Sequence, residues 1–201
     1  MYTAIGYDLN FLLYGAQWLG LVPASSKDSF MVAPEKLLDA PRIAQITEEW
    51  PHVWRRVVKE RAQDSLNQLT AHSESGVIPA DQLPFTRLDS LSPSWWDDFP
   101  AWAPLTAELH RSFIAWFDQS VVGASWGMQR FYESSLYQDP VRAKLKTLKW
   151  AAGMGQSVVL DLIFTNPGVS TPPYSRYILV NPDDLMAIHP AFPQKLLDAL
   201  S

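Results

Sequence analysis

The chain has 201 residues, 47% of them apolar and 18% charged, with a formal net charge of -5. Its length suits one domain, and its composition excludes a chain too dilute in apolar residues to offset the entropy of folding. With no cysteine, disulfides, thiolate catalysis, zinc–thiolate sites and iron–sulfur clusters are excluded, and the acidic balance argues against a surface uniformly attractive to nucleic acid or anionic lipid.

The first apolar stretch, FLLYGAQWLGLV, lacks the positive leading region of an export signal. It is also well short of the roughly 20 residues that span a bilayer, so a soluble, cytoplasmic protein with no membrane partner is expected. Asp8 stands where an N-cap would precede a helix carrying Leu9, Leu12, Leu13 and Ala16 on one face, and Gly20 stands where that helix would stop. Phe30 to Ala33 is read as a brief strand or extended link, and Pro34 opens a helical turn or two.

From about Pro41 to Leu69, the residues Ile43, Ile46, Trp50, Val53, Trp54, Val57, Val58, Ala62, Leu66 and Leu69 recur at three- and four-residue steps. This predicts amphipathic helix, with Arg55, Arg56, Lys59, Glu60 and Asp64 on the solvated side. Pro51 lacks a backbone donor and restricts Trp50, so a short helix before it and a long helix starting at it are expected.

Periodicity lapses from about 71 to 104, a stretch too rich in aromatics for a disordered linker and read as a long ordered connection. Helical spacing returns with Leu105, Leu109, Phe113, Trp116 and Phe117, weakens near Gly123 and Gly127, and resumes at Trp126, Phe131 and Leu136. Pro140 starts a further helix, whose Arg142, Lys146 and Lys149, with Lys144, form a basic stripe best explained as a solvated face. Residues 157–181 combine β-branched runs with the turn TNPG and predict a β-hairpin, which needs helices beneath it or another strand such as Met1 to Ile5 or Phe30 to Ala33. A short helix is expected to close the chain. The expected architecture is a single mainly helical α+β domain over 1–201, with about five to seven helices and a small antiparallel sheet near the carboxyl end.

Catalytic signatures are sparse. His52, His72, His110 and His189 lie too far apart for a compact histidine metal motif, and Glu49 with His52 has only one of the two Glu-x-x-His motifs that a di-iron bundle needs, so no metal is expected. GASWG, with Ser125 central, lies in a helical pattern rather than at the strand-to-helix elbow of a serine nucleophile. GMGQS follows a helix and leads into a strand, the reverse of a phosphate-cradling loop, and is better read as a helix stop; no cofactor is expected.

The stretch SPSWWDDFPAW, residues 92–102, holds four large aromatics around two aspartates. As a plug, its rings would fill a seam between helical layers while Asp97 and Asp98 favour a helix start. As a contact surface, Trp95, Trp96 and Trp102 would be desolvated anchors, and Asp97 and Asp98 would orient a basic partner. Two functions are carried: a non-catalytic inhibitor, adaptor or immunity-type protein that binds a partner protein through this segment, or a hydrolase or transferase acting on a polar or nucleotide-like substrate through Glu108, His110, Arg111, Arg130 and Glu133.

Overall fold

The computed structural model describes residues 2–22, 38–75, 98–117, 159–164, 167–174 and 176–181. The chain begins with strand β1, Tyr2–Ile5, and passes through Gly6 into helix α1, Tyr7–Trp18. Gly6, not Asp8, occupies the N-cap position, and no side chain caps this end. Asp8 is instead drawn inward, because the first turn of α1 abuts a polar cluster in the core. Gly20 does end the helix. It adopts φ +74, its amide donates to the Gln17 carbonyl at 2.9 Å, and the Leu21 amide reaches the Ala16 carbonyl at 2.8 Å. These are the paired bonds of a Schellman stop, which requires a left-handed residue at this point.

Helix α2, Ala40–Ser75, is one unbroken element through Pro51. The expected break there does not occur, and the helix also runs into the region expected to be a connection. Asp39 caps its start by accepting a hydrogen bond from the Arg42 amide at 3.0 Å. Pro51 sacrifices one backbone bond, but the residues around it are anchored from outside the helix. Trp50 Nε1 donates to the Pro167 carbonyl at 3.2 Å and Trp54 Nε1 to Thr171 Oγ1 at 2.9 Å, so successive turns on either side of the proline grip the same distant segment. Ile46, Trp50, Val53, Trp54, Val57, Val58 and Ala62 are buried along the predicted face.

Helix α3, Ala103–Phe117, buries Leu109, Phe113 and Phe117 at the predicted spacing. It meets α1 through aromatic edges: the Phe113 ring lies 5.2 Å from Phe11 and 5.5 Å from Tyr14, both edge-on, the arrangement favoured by ring quadrupoles.

Strands β2, Val159–Leu162, and β3, Tyr177–Val180, lie inside the predicted hairpin, but they pair in parallel, Val159 opposite Tyr177 and Leu162 opposite Val180. The antiparallel hairpin is therefore corrected. In the described part of the connection, Pro167 and Thr171 are bonded to Trp50 and Trp54, and the chain enters β3 in the same direction as β2. β1 supplies the additional strand the hairpin was expected to need, pairing in parallel with β2, so the sheet order is β1-β2-β3. The described fold is thus mainly helical with a small parallel sheet. The expected helices beyond Phe117 and the strand at Phe30 to Ala33 lie outside the described residues, and among the described residues no helix is long and apolar enough to cross a membrane.

Candidate functional site

The central strand reads VLDL, and its one charged residue points into the core. Asp161 is 0% exposed. A carboxylate there is tolerable only with strong partners, because an unpaired buried charge costs far more than a fold can spare. Two arrive from distant parts of the chain: Arg61 Nε on α2 donates to Asp161 Oδ2 at 2.8 Å, and Tyr177 Oη on β3 donates to the same oxygen at 2.8 Å. Asp161 Oδ1 accepts no hydrogen bond.

Asp8 completes the cluster. It is 5% exposed, its Oδ1 lies 4.0 Å from an Arg61 terminal nitrogen, and that oxygen also accepts no hydrogen bond. One guanidinium, itself 6% exposed, thus faces two carboxylates and binds Asp161 the more closely. Burial pushes the Asp8 carboxyl up to about 6; Arg61 opposes the rise and Asp161 adds to it. Burial alone would lower the Arg61 guanidinium, but the Asp161 and Asp8 carboxylates outweigh it and hold the group above its ordinary range. Burial, then the Asp161 charge, pushes the Tyr177 hydroxyl well above its usual value, so it remains a donor at neutral pH.

Gly6 makes this approach possible. A Cβ there would stand 3.1 Å from Asp161 Oδ1 and 2.9 Å from Leu9 Cδ1, and Leu9 is fully enclosed. Gly6→Ala is expected to cost about 1–3 kcal/mol by overpacking, read as a lower urea midpoint with an unchanged slope. Nearby, buried Asn10 finishes the carboxyl end of β2: its Nδ2 donates to the Leu162 carbonyl at 2.9 Å, and its Oδ1 accepts from the Phe164 amide at 2.9 Å.

A second, exposed constellation lies where residues 98–102 meet α2. Asp98 pairs with Arg56, which also holds Glu60 at 3.0 Å and lies over the Phe99 ring, 5.8 Å from its centroid. Trp102, expected at the contact surface, is 2% exposed and stacked on Trp50 with ring centroids 5.4 Å apart. Its role is therefore in the core. The Ala101 carbonyl accepts from Arg42 Nε at 3.4 Å, so this end of the segment is fastened to α2 at two turns. Trp95, Trp96 and Asp97 lie outside the described residues.

Of the expected catalytic group, His110 is half-buried and Arg111 exposed on α3. The Glu108 side chain, Arg130 and Glu133 lie outside the described residues, so no meeting of the five is on view. The sequence reading missed Arg61, Asp161 and Tyr177, although a lone aspartate within the apolar run VVLDLIF was the available signal, since such a charge needs a partner. Compared with protein-family models, curated proteins and solved structures, the chain matches none.

Proposed function

We propose that the protein acts without catalysis, by binding a partner protein with a basic surface through the acidic aromatic segment that ends at Asp98, in the manner of an inhibitor, adaptor or immunity-type protein. The observation that supports this reading is the contrast between the two ends of residues 98–102. Trp102 is locked against Trp50, whereas the Asp98 side chain keeps 54% of its surface open in an exposed pair with Arg56. Pairs of this kind contribute about 0–1 kcal/mol in water, so an incoming lysine or arginine can displace Arg56 at little cost. The adjoining Trp95 and Trp96 supply the large rings that dominate binding energy at interfaces, and Asp97 adds charge for orientation.

The test begins with a photo-crosslinking residue at position 95 or 96 in the intact protein, which identifies the partner. Affinity for that purified partner is then measured with the Trp95→Ala, Trp96→Ala, Asp97→Asn variant. A loss of at least about tenfold at an unchanged melting temperature is expected, with wild-type binding weakening as salt rises. Equal affinity of variant and wild type would remove the proposal.

A further inference from the structure

We propose that the enclosed cluster of Asp8, Arg61, Asp161 and Tyr177 is a proton-operated latch, in which uptake of one proton on Asp8 tightens the docking of β1 and α1 against α2 and β2. The geometry carries this through charge balance. Among the described residues, two carboxylates and one guanidinium are sealed together and Tyr177 is a neutral donor, so with both carboxylates ionised these four groups hold one excess negative charge. Arg61 is committed first to Asp161, at 2.8 Å against 4.0 Å for Asp8, and Asp8 Oδ1 is buried without a hydrogen bond. The charged or titratable groups acting on Asp8 among the described residues are Arg61 from α2, Asp161 from β2 and Tyr177 from β3, and only the first is cationic. The positive end of the α1 dipole eases the charge at Asp8 but gives it no counterion.

Protonation of Asp8 removes the excess charge and turns an unsatisfied acceptor into a hydroxyl able to donate. Since this carboxyl titrates at about 6 in the fold against 3.8 ordinarily, the folded chain holds the proton more tightly than the unfolded one. The stabilisation is complete below pH 3.8 and is lost as pH rises through about 6. Asp8 lies in the first turn of α1, directly after β1, while Arg61 and Asp161 lie on α2 and β2, so the docking of these elements at the cluster is what the proton controls.

The experiment measures the unfolding equilibrium of wild type and of Asp8→Asn by urea titration at pH 5 and pH 7.5, with the Asp8 carboxyl carbon followed by NMR in the intact wild-type protein. Between those two pH values the wild-type unfolding constant is expected to rise about tenfold relative to that of Asp8→Asn, whose side chain mimics the protonated state. The carboxyl carbon is expected to titrate near pH 6. Identical pH dependence of the two proteins overturns the proposal, as does an Asp8 midpoint near that of an ordinary carboxyl group. Should Asp8→Asn fail to fold, the NMR midpoint of the wild type decides alone.

Discussion

Replacing Arg61 with methionine is expected to lower the free energy of unfolding by about 3–5 kcal/mol at neutral pH, the usual consequence of removing one member of a buried ion pair. Methionine keeps most of the volume, so the loss reads as electrostatic rather than as a cavity. Without the guanidinium, Asp161 retains only the Tyr177 hydroxyl, and Asp8 loses the cation 4.0 Å from its Oδ1. The Asp8 carboxyl, already raised by burial and lowered by Arg61, is then driven further toward its protonated form. The loss should therefore be smaller at pH 5 than at pH 7.5, opposite to the acid sensitivity of a protein held by well-paired surface carboxylates. Urea unfolding followed by tryptophan fluorescence at the two pH values measures both the size and the slope.

Trp54→Ala is expected to cost a comparable amount, about 3–5 kcal/mol, through a different route. Trp54 is completely enclosed, its ring lies 5.6 Å from Trp50, and its indole nitrogen holds Thr171 at 2.9 Å. Truncation leaves a cavity in the middle of α2 and releases the segment between β2 and β3 at one of its two indole bonds. Trp54→Phe retains most of the apolar surface and forfeits only the bond to a half-buried hydroxyl that water can reach. It should cost about 1–2 kcal/mol, so the pair of variants separates packing from hydrogen bonding. Calorimetric melting of both variants checks the order; equal losses would locate the effect in the hydrogen bond.

What could be read from the letters follows the range of the forces involved. The buried faces of α2 and α3 repeat every three to four residues, so Trp50, Val57, Leu109 and Phe113 were visible as core. Gly20 was visible as a stop because a left-handed turn is a local requirement. Pro51 misled, because its penalty is local while the Trp50 and Trp54 anchors that offset it lie across the chain at Pro167 and Thr171. The strands at 159–162 and 177–180 were legible as strands, but their relative direction was not: TNPG signals a turn and says nothing of where the chain goes next. The cluster was least legible. Asp8 has the composition of a helix cap, and only the fold brings residues 8, 61, 161 and 177 into one place. For the proposed contact surface, the letters of SPSWWDDFPAW gave its chemistry, and the structure separates Trp102, which packs inward, from Asp98, which faces water.

Whether one guanidinium holds the carboxylates of the core is tested most directly by a double-mutant cycle on Arg61→Met and Asp161→Asn, with unfolding free energies measured at pH 7.5. If the pair acts as a unit, the double variant loses less than the sum of the two single variants, by about 2 kcal/mol or more, because it no longer leaves a charged Asp161 without its guanidinium. Losses that add to within about 0.5 kcal/mol would mean that Arg61 and Asp161 act independently, and the enclosed cluster would then not be what joins α1, α2 and the sheet.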